Sequence, residues 1–599
     1  MSENITGQSE LPTMPEEGRK KYKGAVLKSG EDSYRGIGTS RGIAIGTSYA
    51  FEKEQYEHES RTILPEEIEH EIERFVAALH RSEKELKKIE RVTTRKLGKG
   101  YANLFEAQIM LLHDQVLIEA ITARIRKELK AASLVIDEEF GRYLEHFMNS
   151  DDQLFQERAC DFRDIKERII RNLHIKKLHS WIPEGSIVVS EHLSPADVIL
   201  LSRSNVKGFV TDTGGKTSHI SLICKSLNIP MVVGLGNFSQ MVSTGNQLII
   251  DGGTGTVVIN PEEKTVERYT RKREEELRFE ADASRTADQP AYTRCGVRIS
   301  FYSNIDFKEE LTGMKASGSE GVGLFRTENL FIDGTKVPRE SEQFSYYLEM
   351  AETIAPMPLV VRLFDIGGDK LLYSPVREPN PNLGWRGIRI LIDVPEILEN
   401  QLRAVVRANI HGNIHILLPM ITSVEEIRFI TVTLDKLCDE LKEEQGHAEK
   451  PFIGAMIEVP AAVEMIAEIA REVDFVSIGT NDLTQYTLAV DRNNVIVQDL
   501  FDKFHPAIVR QVHRVISKAQ QNRCRVSICG DMGSDPLALP FLVGCGLRKF
   551  SIVSADIAKQ KKLVSAMTIA DTEMLAAECL KLDSAEKIKG RLEEFLAAL

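Results

Sequence analysis

Eight cysteines are scattered through 599 residues (Cys160, Cys224, Cys295, Cys438, Cys524, Cys529, Cys545 and Cys579), and none forms a CxxC pair. That spacing excludes a zinc ribbon and a disulfide framework and fits a reducing cytoplasm. No apolar run approaches the roughly 18 residues of a membrane span, and the N-terminus is polar rather than a signal peptide, so no membrane insertion is expected. Positive charge is scarce too. Lys and Arg number 76 against 89 Asp and Glu, a net charge of -13 that argues against nucleic acid as the main partner. An anionic ligand must therefore be gathered by local arginines.

A composition of 42% hydrophobic and 28% charged residues is that of ordinary globular protein, and the length suggests about three or four domains. Residues 1–35 are rich in Ser, Glu, Lys and Gly and read as a mobile tail. GIAIGTSYAF, from residue 42, reads as a strand. From residue 66 to about 175 the pattern is helical, with Ile68, Ile72, Phe75, Leu79, Leu86 and Ile89 forming a stripe that belongs by default to a core. Strand-like runs return near residue 185, so one α/β domain (36–62 and 178–260) carries an inserted helical domain (63–177). Opposite charges at helical spacing then mark a helical linker over 261–290.

The remaining chain, 291–599, holds eight short apolar runs separated by helix-sized segments: RISFYSN, GVGLF, LVVRLFD, HILLPM, FIGAMIE, FVSIG, RVSICG and KFSIV. Eight such units predict a (β/α)8 TIM barrel, whose active site lies at the C-terminal ends of its strands. The polar residues there are Asn304, Arg326, Arg362, Asp365, Glu458, Asn481, Asp482, Arg492 and Cys529. Arginines suit phosphate or carboxylate, and Glu458 with Asp482 suits a Mg²⁺ ion that also touches substrate phosphate. The pattern predicts a small, highly anionic substrate. In the first domain, TGGKTSH places His219 behind Gly214 and Gly215, with Thr217 as the expected N-cap of a helix whose amides can receive an anion.

DFVSIGTNDLTQYTLAVDR (474–492) matches the signature of phosphoenolpyruvate-utilising enzymes. With EGVGLFRTENLF, VRLFDIGGDK, NPNLGWRGIRI and MIEVPAAVEMI, the chain over 36–599 resembles the enzyme I family of the bacterial sugar phosphotransferase system. The resemblance implies a swivelling phosphohistidine α/β domain, an inserted helical domain that docks the carrier protein HPr, and a phosphoenolpyruvate-binding barrel that forms the homodimer. It also implies a cytoplasmic enzyme that passes phosphate from phosphoenolpyruvate to His219, then to HPr, releasing pyruvate. By the same resemblance Arg326, Arg362, Arg492 and Asn481 hold phosphoenolpyruvate, Glu458 and Asp482 bind Mg²⁺, and Cys529 protonates the enolate.

Several positions depart from the family pattern. Lys216, Ile220, Cys224 and Lys225 surround the histidine, Glu309 stands where the family has an arginine, and Asp531 replaces a typical Glu. Lys216 lacks the planar fork of arginine, and Lys308 is the candidate replacement at the Glu309 position. Two other readings share these motifs. A dikinase or phosphoenolpyruvate synthase relative needs a large nucleotide-binding domain, but a short tail precedes the phosphohistidine domain and no GxxxxGK(S/T) loop is present. A phosphoenolpyruvate-sensing regulatory protein would not need the retained His219, carboxylates and Cys529.

Overall fold

Runs rich in Val and Ile, broken by glycine, build the first sheet. The computed structural model describes residues 31–51, 62–97, 99–148, 153–174, 182–215, 218–330, 337–367, 380–492, 497 and 500–599. Strands β1 (Asp32–Arg35), β2 (Ile37–Ser40), β3 (Ile43–Ala50), β4 (Ile187–Ser190), β5 (Gly208–Thr211), β6 (Met231–Val233), β7 (Gln247–Asp251) and β8 (Thr256–Ile259) form one eight-stranded sheet. Their spatial order is β1-β8-β7-β3-β4-β5-β6-β2. The centre, β3 to β6, is parallel, and antiparallel strands flank it. Strands buried on both faces need continuous apolar sequence, and Ile187–Val189 and Met231–Val233 supply it with almost no exposure.

One boundary needs correction. The segment 1–35 was expected to be a tail, yet β1 pairs with β8, and the Tyr34 ring meets Phe238 edge-on at 5.1 Å. The Glu31 carboxylate accepts from Thr265 Oγ1 at 2.6 Å and from the Glu262 amide at 2.8 Å. A single aromatic anchor outweighs the polar average of its surroundings. Residues 1–30 lie outside the described residues.

Between β3 and β4 the chain runs through helices Ile68–Leu97, Lys99–Leu112, Gln115–Glu128, Ala132–Met148 and Gln153–Leu173. The third starts where Asp114 accepts from the amides of Val116 and Leu117, and it buries Leu117, Ile121 and Ile125, one turn apart. Of the predicted stripe on the first helix, Phe75, Leu86 and Ile89 are fully buried. By packing, the chain divides into one unit of residues 1–97, 111–140 and 163–275 and another of residues 98–110, 141–162 and 276–599. The expected insert, 63–177, is therefore shared between the two. The division also falls inside the linker region, where Glu263–Arg285 is one continuous helix.

The eight apolar runs all become strands. After a short β9 (Ala291–Tyr292) come β10 (Arg298–Ile305), β11 (Val322–Phe325), β12 (Leu359–Arg362), β13 (Ile414–Leu418), β14 (Phe452–Ile457), β15 (Phe475–Ile478), β16 (Arg525–Ile528) and β17 (Lys549–Val553). Strands β10 to β17 are all parallel, and β10 pairs with both β17 and β11, which closes the barrel. Alternation along each strand separates two cores. Ile299 and Phe301 of β10 pack toward the helices, whereas Leu324, Val360, Leu417, Met456, Phe475 and Cys529 form a separate cluster.

Phe301, fully buried, stacks on Phe550 at 5.4 Å where the first and last strands meet. Phe301→Ala should cost about 3–5 kcal/mol, read as a lower urea midpoint for the barrel by circular dichroism. A loss below about 1 kcal/mol would show that the closing seam repacks.

Candidate active site

The C-terminal ends of the barrel strands converge on a chain of ion pairs. Arg362, the last residue of β12, pairs through Nη2 with Glu328 Oε1 at 2.9 Å and through Nη1 with Asp365 Oδ2 at 3.4 Å. Asp365 in turn receives both arms of Arg386, Nε at 2.9 Å and Nη2 at 2.8 Å. The remaining nitrogen of Arg386 reaches Asp482 Oδ1 at 3.1 Å and the Tyr486 hydroxyl at 2.9 Å. Arg492 Nη1 lies 3.9 Å from the other Asp482 oxygen. These fork geometries lock each carboxylate in a fixed orientation.

Around this chain stand the other expected residues. Glu458 follows β14 and accepts the Met420 amide at 2.7 Å, in a pocket where it is 1% exposed. Burial, reinforced by Asp482 and Asp365, pushes its carboxyl up to about 8 despite the nearby arginines. Met420 holds a left-handed φ of 58° to make that bond, strain of the kind concentrated at functional sites. Asn481 Oδ1 accepts the Asp531 amide at 2.9 Å. Asn304 bridges β10, β16 and β17, donating to the Cys529 carbonyl at 3.0 Å and accepting from Ser551 at 2.6 Å. Cys529 is 3% exposed, and burial pushes its thiol up to about 11, so it keeps its proton at neutral pH.

Arg326 stands differently, half-exposed and paired with Asp306 Oδ1 at 3.2 Å. Lys308, the candidate replacement for the missing arginine, turns away. Its ammonium pairs with Glu349 at 2.5 Å and lies 5.4 Å from the Tyr346 ring centroid. That expectation is corrected, because an acid and an aromatic ring on the helix Glu340–Ile354 outcompete the site for the charge.

Two central residues, Arg386 and Glu328, were absent from the residues expected at this site. Arg386 lies within NPNLGWRGIRI, and Gly387 beside it takes φ 61°, where an added Cβ would sit 3.0 Å from Met420 Cγ and 3.1 Å from Asp365 Oδ1. A glycine after an arginine in a quoted motif was the available signal.

Among the described residues no cluster of three or more His, Cys, Asp or Glu side chains could hold a metal. The strand ends carry the carboxylates Glu458 and Asp482 beside Asp365 and Glu328, together with an unsatisfied donor. Arg362 Nε is buried with no hydrogen-bond partner among the described residues. A buried guanidinium nitrogen costs free energy unless something accepts from it.

In the first unit, His219 opens the helix His219–Ser226, with Ser218 rather than Thr217 at the cap position. Ser218 and Ser221 hydroxyls both donate to the Gly215 carbonyl at 2.9 Å, fixing the turn that precedes the histidine. Thr217 and Lys216 lie outside the described residues. Ile220 and Cys224, both departures from the family, are buried one turn apart, and burial raises the Cys224 thiol far above its ordinary range. They are packing residues. Lys225 is exposed near the helix C-terminus.

Three family models match: PEP-utilising enzyme, N-terminal, at residues 35–158; its mobile domain at 182–255; and its PEP-binding domain at 280–569. These define the class as the PEP-utilising enzymes. Phosphoenolpyruvate-protein phosphotransferases align almost end to end. That of Bacillus sp. (strain S) is 35% identical over 93% of this chain and 97% of its own. Those of Geobacillus stearothermophilus and Haemophilus influenzae are each 36% identical, over 93% and 94% of this chain and 97% and 98% of theirs. The chain belongs to the phosphoenolpyruvate-protein phosphotransferase family. A solution structure of an Enzyme I protein matches 41% of this chain and 99% of its own at 36% identity, with a TM-score of 0.36.

Cys295 is exposed, and bonds from Thr293 and the Ile569 amide lower its thiol below the usual range, the reverse of Cys529. Iodoacetamide at neutral pH should label Cys295 first and leave Cys529 unlabelled until the pH approaches about 11. Peptide mass spectrometry reads the order, and prompt labelling of Cys529 would show that its thiol is open to solvent.

Proposed function

We propose that the chain transfers the phosphoryl group of phosphoenolpyruvate to His219 and then to the carrier HPr, releasing pyruvate. The observation that carries this reading is Arg362 Nε at the C-terminal ends of the strands, buried and without a hydrogen-bond partner among the described residues, with an acidic pair and a protonated thiol at the same end. Arg362, Arg326 and Arg492 grip the phosphate and carboxylate of the substrate, and Asn481 positions it. Arg386 acts from behind, holding Asp365 and Asp482 in place.

Glu458 and Asp482 would hold Mg²⁺. Mg²⁺ is usually held by one or two carboxylates together with substrate phosphates, so a pair rather than a closed cage fits; burial, then Asp482 and Asp365, raise the Glu458 carboxyl, and a cation bound there would favour its ionised form. Bound there, the ion supplies charge neutralisation to the phosphate.

The chemistry then follows from the residues. A neutral imidazole nitrogen of His219 attacks phosphorus, and the bond from phosphorus to the enolate oxygen breaks. The electron pair left on the enolate takes a proton at C3 from the Cys529 thiol, giving pyruvate and a thiolate that solvent reprotonates. A thiol that ionises near 11 is a reserve of protons at neutral pH. His219 belongs to one unit and the barrel to the other, so the proposed transfer runs between the two units.

In the helical segment a groove of about 580 Å³ is lined by Ile72, Val76 and Leu79 together with the acids Glu69, Glu73 and Glu83. This fits a carrier whose apolar patch is ringed by basic residues. We assign HPr docking there, homodimerisation to the barrel and activity to the cytoplasm. Phe429 and Val432, exposed on the outer helix Val424–Gln445, support a barrel interface.

With labelled phosphoenolpyruvate and Mg²⁺, the protein should acquire acid-labile phosphate on His219, and His219→Ala should acquire none. Phosphate on another residue at normal yield would overturn the assignment. Removing the metal with a chelator should stop labelling. Cys529→Ala should still label His219 in a single turnover, while steady-state pyruvate release falls about a hundred- to ten-thousand-fold. Undiminished release would return Cys529 to a packing role.

A further inference from the structure

The barrel has a second mouth. At the end opposite Arg362 and Glu458, a cavity of about 70 Å³ lies among the first residues of the strands. TIM-barrel lumens are ordinarily filled by layers of bulky branched side chains, and this lower face ordinarily serves stability. Here the layer is basic. Arg525 opens β16, Lys549 opens β17, and His415 stands second in β13.

Among the described residues no carboxylate pairs with Lys549 or Arg525 at close range. Among the described residues, Lys549 Nζ has no hydrogen-bond acceptor and no carboxylate at ion-pair distance, although the side chain is half-buried. Two acids act electrostatically on these groups from beyond ion-pair distance, and Glu320 keeps its Oε1 without a hydrogen-bond partner among the described residues. Glu320 pairs with Arg298 at 2.8 Å, and the Asp474 carboxylate accepts the Ile453 amide at 2.8 Å. Arg525, an exposed residue, donates Nε to the Asp474 carbonyl at 3.3 Å and lays its guanidinium 4.9 Å from the Phe452 ring centroid, which leaves its terminal nitrogens facing solvent and open to an anion. Burial lowers the Lys549 ammonium from its usual range, with Arg525 adding to the effect. The same environment pushes His415 down to about 4, so at neutral pH it is an uncharged group that can also accept a hydrogen bond. A half-buried ammonium with no carboxylate at ion-pair distance gains from an anion beside it.

Size and wall chemistry narrow the anion. The space equals roughly two water volumes, too small for a nucleotide or a sugar phosphate. Most of the wall is apolar, with Val360 and Phe475 prominent. We propose that the lower mouth of the barrel is a binding site for a short-chain monocarboxylate, with its carboxylate between Lys549 and the Arg525 fork and its alkyl end against Val360 and Phe475. Those same two apolar residues pack with Met456 and Cys529 in one cluster, so an occupant would stand one side-chain layer from the catalytic thiol.

The test is binding of trifluoroacetate to the full chain, followed by fluorine NMR, with Arg362→Met included to disable the upper mouth. Binding should persist in Arg362→Met and weaken about tenfold or more in Lys549→Met and in Arg525→Met. Acetate should displace the probe, and inorganic phosphate at equal concentration should not. Val360→Phe, which fills the cavity and keeps both cations, should abolish binding even if a cation variant folds poorly. Affinity unchanged in Lys549→Met and Val360→Phe, or lost in Arg362→Met alone, would place the probe elsewhere and overturn the proposal. Equal displacement by phosphate would overturn the carboxylate assignment, and absence of binding would overturn the site.

Discussion

The bidentate pair between Arg386 and Asp365 is the interaction on which the candidate site depends. Its nitrogens lie 2.8 and 2.9 Å from the two carboxylate oxygens, and the third arm continues to Asp482. Both partners are largely buried, so a change of either residue leaves an uncompensated charge where water cannot relieve it. Asp365 also receives Arg362, the residue with the unsatisfied nitrogen, so the two arginines are oriented by one carboxylate. The shared carboxylates hold the arginines of the site in fixed orientations.

How much of this was legible follows from where each residue sits. Barrel strands are covered on both sides, so their sequence is nearly continuous apolar text, and LVVR or KFSIV needs no context to be read as a strand. Residues that close such strands inherit their position from the strand, which is why Arg362, Glu458 and Cys529 could be placed in advance. Arg386 and Glu328 lie off the strands, and their direction depends on backbone turns such as the one at Gly387 that no periodicity encodes. Lys308 failed for a related reason, since its charge was free on paper but is held by Glu349 in the fold. Strand β1 was hidden by averaging, because one Tyr in a polar stretch barely moves a composition.

The departures around His219 divide in the same way. Ile220 and Cys224 are explained by packing, since both point into the core from the same face of the helix. Their neighbours Ser218 and Ser221, bonded to the Gly215 carbonyl, are what holds the turn before the histidine. A motif written as a string mixes residues that serve the fold with residues that serve the chemistry, and only the three-dimensional setting separates them.

The placement of the helical segment between β3 and β4 has a topological consequence. These two strands are neighbours and run parallel, Ser48 beside Ile187 and Ala50 beside Val189. Parallel neighbours cannot be joined by a tight hairpin, and the chain must travel the length of the sheet through a connection of about a dozen residues or more. The helices therefore make the crossover that this sheet would need in any case, enlarged into a body with a groove of its own. A shortened protein lacking them would have to be given a replacement crossover, and one too short would pull β4 out of the centre of the sheet that supports the His219 helix.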